Sequence, residues 1–363
     1  VYPGAMHTRF NHALGALHLV QQALTTLREK GVSISEEEAF AVQTAILLHD
    51  IGHGPFSHGL EASLLRNMSH EDMSLLLMQR LNQNFDGELE LALRIFRGEY
   101  DRPFLRQLIA SQLDMDRMDY LMRDSFFTGV QEGIVGTDRI IKTLNVHDGE
   151  LVVEEKGIYS VEKFIVARRL MYWQVYLHKT ALSAELMMIE ILDRAREVLS
   201  AGEDLPMAPA LGRLLRAPAG ALEQDQSMVD DFLELGDEDI LAAIKQWRHA
   251  ADPVLADLAA RLLDRRLFKL RFFAEPQSED WVRAERERLR TQMNIDEAGA
   301  RHYVLSGRAQ NLAYKPGQRQ PIRILFKDGR LRDLADAADV ANIRAMAQEV
   351  TKYYVATLDY PVS

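Results

Sequence analysis

The chain of 363 residues carries 47% hydrophobic and 27% charged side chains, the balance of a folded globular protein rather than a disordered or fibrous one. At about 100–200 residues per domain there is room for two or three units, no apolar run approaches the roughly 18–20 residues of a membrane span, and no leader-peptide pattern opens the chain. The absence of cysteine excludes disulfides and thiol chemistry and fits a reducing, cytoplasmic setting, while a net charge of −11 argues against broad coating of nucleic acid.

Taken in chain order, the first two-thirds read as helix. Ala13, Leu14, Leu17, Val20, Leu24 and Leu27 recur at three- and four-residue spacing, which predicts an amphipathic helix over Arg9–Glu29 closed by Gly31. Ser35 followed by Glu36, Glu37 and Glu38 has the form of a capping box and opens a second helix that Gly52, Gly54 and Pro55 break just after His49 and Asp50. Shorter helices are predicted over 69–82 and 89–97, and one longer helix over 103–124. Asp148-Gly149 before Leu151-Val152-Val153 reads as a hairpin turn entering a strand. Helix then returns over 161–199.

Prolines and glycines concentrate in 201–220, which marks a boundary between residues 1–200 and 201–363. Beyond it come helices over 228–248 and 253–266, strand-like runs at 267–273 and 322–326, and a turn at Lys327-Asp328-Gly329-Arg330. The expected fold is mainly α, a helical core followed by a smaller C-terminal α+β region with a role in assembly.

Chemistry concentrates early. Of 11 histidines, those at 7, 12, 18, 49, 53, 58 and 70 fall in the first fifth of the chain. Asp114, Asp116 and Asp119 share a later helical stretch. Two imidazoles and two carboxylates suit a first-row divalent cation and leave coordination positions for water and a substrate oxygen. Periodicity does not choose among the three aspartates. His18, His147, His249 and His302 have no evident partners and read as structural or surface residues.

These residues fall in strings that follow one another in order: Tyr2 to Gly15, Leu47 to His58 with its His49-Asp50 pair, Ser69-His70-Glu71, and Asp114 to Asp124. Together they resemble the HD-superfamily phosphohydrolases, specifically the deoxynucleoside triphosphate triphosphohydrolases, over at least residues 2–180. In relatives a further N-terminal segment precedes the opening string. The resemblance implies an HD-type helical core in residues 1–200, with His12, His49, Asp50 and Asp116 as ligands of a divalent cation (Mn, Mg, Fe, Co, Ni or Zn). It implies that His53, His58 and His70 stand close to the phosphate chain, with Glu61 as the acidic partner of His70. Arg9, Arg168 and Lys179 are expected to hold phosphate, and Tyr120, Asp124, Tyr172 and Tyr176 the sugar or base.

The reaction so implied is metal-dependent hydrolysis of a deoxynucleoside triphosphate (dGTPase activity among the options) to deoxynucleoside and inorganic triphosphate, by water attack at the α-phosphorus. His70 is expected to protonate the 5′-oxygen, with His53 beside the nucleophile. Relatives also imply a homo-oligomer, dimer or tetramer, and an allosteric nucleotide. The alternatives are an HD phosphohydrolase acting on a monophosphate, cyclic or signalling nucleotide, and a non-catalytic nucleotide-binding protein. No membrane or nucleic-acid partner is expected.

Overall fold

A computed structural model describes residues 2–314, 321–338 and 348–358. The N-terminal half carries helices α1 (Arg9–Glu29), α2 (Glu36–Leu48), α3 (His58–Leu64), α4 (His70–Asn84) and α5 (Glu90–Arg97). It continues through α6 (Pro103–Gln107), α7 (Met115–Thr128), α8 (Thr137–Thr143), α9 (Ile158–Met171) and α10 (Lys179–Ser200). The remainder adds α11 (Pro209–Arg216), α12 (Ala221–Gln224), α13 (Gln226–Glu234), α14 (Asp237–Trp247) and α15 (Pro253–Leu263). Among the described residues there are also three further helices, α16 (Glu279–Met293), α17 (Glu297–Arg301) and α18 (Leu334–Ala337), and seven short strands. The mainly α class with a C-terminal α+β region is therefore as the sequence predicts, and no helix among the described residues is long and apolar enough to cross a membrane.

Two compact units divide the chain. The first takes Val1–Gly52, Ser74–Tyr176 and Gln310–Val350. Its α1 begins where Thr8 and Asn11 exchange side-chain and backbone hydrogen bonds, and its α2 where Ser35 and Glu38 do the same. The core fills between them with Leu24, Leu27, Val42, Ile46, Leu105, Met118, Leu121 and Phe164. Strands β1 (Leu144–His147) and β2 (Glu150–Glu154) form the expected hairpin. Asp148 and Gly149 both take positive φ, 50° and 79°, which a two-residue primed turn requires. After β3 (Lys269–Phe273) and β4 (Val304–Asn311), strand β5 (Arg323–Leu325) pairs parallel to β2, and β6 (Leu331–Asp333) returns antiparallel to β5. The sheet of this unit thus joins strands far apart in sequence.

The second unit takes His53–Met73, Leu177–Ala309 and Thr351–Ser363. There α10 packs against α3 and α15, and β3 pairs antiparallel with β7 (Val350–Thr357). Trp247 is fully buried and donates its indole N–H to the Pro206 carbonyl at 3.0 Å. His302 is structural, as its sequence setting suggests: buried, with Nδ1 2.6 Å from Glu190 and Nε2 3.2 Å from Glu197.

Three predicted helices are divided. The 103–124 span splits into α6 and α7, because Asp114 turns out as the N-cap of α7 and takes the Arg117 N–H at 2.7 Å. The 161–199 span starts three residues earlier, widens to a π-turn at Tyr172–Tyr176, and restarts after His178, whose Nδ1 accepts from Thr180 N–H. The 228–248 span breaks at Gly236, the N-cap of α14.

Candidate metal centre and active site

Four sequence-predicted ligands gather in the first unit. The Thr8–Asn11 capping box sets the first turn of α1 and so the position of buried His12. His49 ends α2, and its Nδ1–H is held at 2.6 Å from the Ile46 carbonyl, which turns Nε2 inward. Asp116 stands in the first turn of α7, just after the Asp114 cap. The Asp116 Oδ1 lies 3.1 Å from His12 Nε2 and 3.5 Å from His49 Nε2. Asp50 places Oδ1 3.3 Å from His49 Nε2 and Oδ2 3.9 Å from His12 Nε2.

The electrostatics are those of a site built for a cation. Burial pulls the His12 imidazolium down, but hydrogen bonds and charge from Asp116 and Asp119 outweigh it and push the group up to about 10. Burial likewise opposes the charged form of His49, and Asp116 and Asp50 raise it nonetheless. Asp116 is disfavoured as a carboxylate by burial, yet His12 and His49 hold it well below the usual range. Both imidazoles are thus favoured in their positively charged form.

A divalent ion fits these donors. His49 Nε2 is buried without a hydrogen-bond partner and faces two carboxylates. Both imidazoles have their Nδ1 engaged, by the Ile46 carbonyl and by Asp119 at 2.7 Å, so both present Nε2 as the metal-binding nitrogen. The donor atoms of His12, His49 and Asp116 all lie within 4.8 Å of one another.

The three aspartates have three different tasks. Asp114 caps the helix, Asp116 faces the imidazoles, and buried Asp119 bonds His12 from behind while accepting two hydrogen bonds from Arg123, at 2.8 and 2.9 Å. Gly15, one turn along α1 from His12, makes room for this: a Cβ there would collide with the Asp119 carboxylate and the Arg123 guanidinium. Sequence reading did not assign Asp119 this role. Its i, i+3 spacing from Asp116 was the available signal.

Beside this centre Tyr120, Tyr172 and Tyr176 form an aromatic wall. Ring centroids are 6.5 Å apart for His12–Tyr120, 6.0 Å for Tyr120–Tyr176 and 5.2 Å for Tyr172–Tyr176. Tyr176 donates its hydroxyl to Asp124 Oδ2 at 2.6 Å, and Asp124 Oδ1 lies 2.7 Å from His7 Nε2. His7 in turn stacks on Phe127 at 4.6 Å. It is a second residue the sequence did not single out. Burial, then the Asp124 charge, keeps the Tyr176 phenol protonated and so a donor. Of the expected phosphate-binding residues, Arg9 bonds Asp50 Oδ2 at 2.6 Å and Arg168 donates to the Ala313 carbonyl at 3.2 Å. Lys179, in the second unit, holds its ammonium 6.0 Å from the Phe272 ring centroid.

The second unit brings together the other predicted set. His53 stacks on His70 at 4.1 Å, and His58 meets both rings edge-on at 4.6 and 4.8 Å. Glu61 joins them: one carboxylate oxygen lies 2.9 Å from His70 Nδ1 and 3.1 Å from His58 Nδ1. Burial pushes Glu61 up, but the backbone N–H of His70 and the two rings more than offset it, so the carboxyl sits below its ordinary range. Phe56 and Ser57, with φ of 54° and 53°, turn the chain sharply between His53 and His58. The Phe56 N–H donates to Asp237 at 2.8 Å, and Gly54 lies so close to the Phe232 ring that a Cβ would clash.

In this helical unit His12, His49 and Asp116 form a group that could hold a metal ion, with Asp50 beside it. Comparison with known proteins gives the family. Residues 9–124 match the HD domain and residues 135–205 the HD associated region. The chain is 30% identical to the uncharacterized protein YwfO of Bacillus subtilis over 97% of its own length and 82% of that protein. A phosphohydrolase from Bacteroides thetaiotaomicron superposes with a TM-score of 0.93 at 46% identity, covering 98% of this chain and 89% of that one. The deoxynucleoside triphosphate triphosphohydrolase SAMHD1 homolog of Dictyostelium discoideum is 25% identical over 71% of this chain and 56% of its own length. The chain belongs to the HD-superfamily phosphohydrolases and resembles their dNTP triphosphohydrolases.

Proposed function

We propose that the protein hydrolyses deoxynucleoside triphosphates to deoxynucleoside and inorganic triphosphate. The observation that carries this reading is the Asp124 carboxylate, fixed between the Tyr176 hydroxyl and the His7 ring in the same unit as the metal centre. Such a carboxylate suits a sugar 3′-hydroxyl. The similarity to named dNTP triphosphohydrolases supports the same substrate class.

A divalent cation held by His12, His49, Asp50 and Asp116 would supply Lewis acidity toward a phosphate oxygen and a water at neutral pH. Asp119 holds the His12 ring so that Nε2 faces that position. Arg9 and Arg168 bring guanidinium charge to the phosphate tail, as does Lys179 through its ammonium, a local answer to a net-acidic chain. Tyr120, Tyr172 and Tyr176 pack against sugar and base. Proton transfer falls to the imidazole cluster: His70, its Nδ1 held by Glu61, donates to the 5′-oxygen, and His53 serves the nucleophile, with His58 beside the phosphates. A homo-oligomer and an activating nucleotide complete the reading.

The test is a substrate panel with the purified protein: each dNTP, alone and in mixtures, against ribonucleoside triphosphates, monophosphates and cyclic nucleotides, with Mn²⁺, Mg²⁺, Co²⁺ or Zn²⁺. Deoxynucleoside plus triphosphate as products supports the reading. Monophosphate plus pyrophosphate rejects it, and turnover confined to monophosphates or cyclic nucleotides moves the protein elsewhere in the family.

A further inference from the structure

We propose that His53, His58, Glu61 and His70 form a second metal site, one that takes a borderline transition cation such as Zn²⁺ and whose occupation switches the imidazole cluster off. The donors are the first argument. Three imidazoles and one carboxylate, each offering one atom, lie within 4.8 Å of one another, wholly inside the second unit. That is the N₃O set of a tetrahedral zinc site. With bonds of about 2.0–2.1 Å, neighbouring donors on such an ion stand roughly 3.4 Å apart. The largest closure needed is therefore at most about 1.4 Å, and the His58 side chain, 67% exposed, has room to turn.

The surroundings keep the other three donors close together. His53 and His70 stack face to face, so one ring must turn out of the stack for both to reach the same ion, while Glu61 is fixed by the backbone N–H of His70 and the turn at Phe56 and Ser57 is pinned to Asp237. The composition also sets a preference. A site rich in imidazole selects Zn²⁺, Ni²⁺, Co²⁺ or Cu²⁺ over Mg²⁺, whereas two imidazoles with two carboxylates at His12, His49, Asp50 and Asp116 accommodate harder ions as well. A nitrogen that ligates an ion has no proton to give. An ion on the proton-donating nitrogen of His70, or one that takes Glu61 away from its Nδ1, thus competes with proton transfer from His70. The inhibitory consequence rests on the proposed hydrolysis; the binding itself does not.

Metal-stripped full-length protein is loaded with Zn²⁺ by equilibrium dialysis and its content read by mass spectrometry, and a parallel Co²⁺ titration is followed in the visible. Wild type is expected to hold two Zn²⁺ per chain. H49A with D116N should keep one, with the intense bands of tetrahedral cobalt, and H58A with H70A should keep the other while losing those bands. Circular dichroism confirms that each variant is folded, and H58Q with E61Q serves where alanine variants do not fold. A single Zn²⁺ per wild-type chain, or two in folded H58A/H70A, overturns the site. If the site fails but Mn²⁺ supports dNTP hydrolysis, the functional reading survives. Two bound Zn²⁺ with no hydrolysis under any metal sinks the functional reading and leaves the site standing.

Discussion

Replacing Asp119 by asparagine isolates what the residue behind His12 contributes. The substitution keeps shape and removes one charge, so His12 Nδ1–H can still find an acceptor where it now sits 2.7 Å from the carboxylate. Loss of a partner of this kind weakens metal binding by about 10–100-fold, which is about 1.4–2.8 kcal/mol. A second effect opposes the first. Asp119 also helps hold the His12 proton, whose group is pushed up to about 10 in the metal-free protein. Below that value the metal must displace a proton, so affinity should rise by about tenfold per pH unit for each proton released.

The variant gives up its proton more readily, which recovers part of the loss at neutral pH and none of it once the proton is gone. Mn²⁺ calorimetry on metal-stripped wild type and D119N, near pH 6.5 and about pH 8.5 in buffers of different ionisation enthalpy, reads both quantities. The expected result is a larger affinity gap at the higher pH, with fewer protons released by the variant there, where it has begun to lose the His12 proton that the wild type still holds. Equal affinities and equal proton counts at both would refute the coupling of Asp119 to the metal through His12.

Three further outcomes follow from the geometry. G15A should place a methyl group against the Asp119 carboxylate and the Arg123 guanidinium, costing about 1–3 kcal/mol despite alanine's better helix propensity, and lowering Mn²⁺ affinity with it; denaturant melts and calorimetry check the pair. Glu38 is disfavoured by burial but stabilised as a carboxylate by Ser35 N–H, Arg102 and Tyr100, so its folded-state value lies below its ordinary one. Its contribution is then present above the ordinary carboxylate range and lost as pH falls through the depressed value. E38Q should cost about 3 kcal/mol at neutral pH in urea melts, with the difference from wild type shrinking in acid. Y176F removes the 2.6 Å bond to Asp124, and under the proposed function KM for dNTPs should rise by roughly tenfold, with discrimination against ribonucleotides reduced.

Local signals in the sequence were strong where one short-range rule acts alone. Helix α1 occupies the predicted span, α2 starts at the predicted Ser35 cap, and the Asp148-Gly149 turn joins two strands. Breaks inside continuous apolar periodicity were not legible. Leu105, Leu113 and Leu121 continue one pattern across residues 108–114, and only the Asp114 side chain, closing on two backbone N–H groups, stops the helix there. The π-turn at Tyr172–Tyr176 carries no glycine or proline to announce it. At the candidate site, spacing could not separate Asp114, Asp116 and Asp119, because their difference lies in what faces each across α1. The partnerships of His7 with Asp124 and His12 with Asp119 span 117 and 107 positions, a range at which a single sequence carries no pairing signal.

The parallel pairing of β2 with β5 has a consequence for how the protein is made. Leu144 and Val153 belong to the same core as Ile322 and Ile324, and Arg168 meets the carbonyl of a residue 145 positions later. A ribosome must therefore release most of the polypeptide before the strand that pairs with β2 inside the metal-centre unit arrives. Until then β2 is an open edge with apolar neighbours, the kind of surface that chaperones recognise and that drives aggregation. The late arrival of β5 thus leaves that edge exposed through much of synthesis.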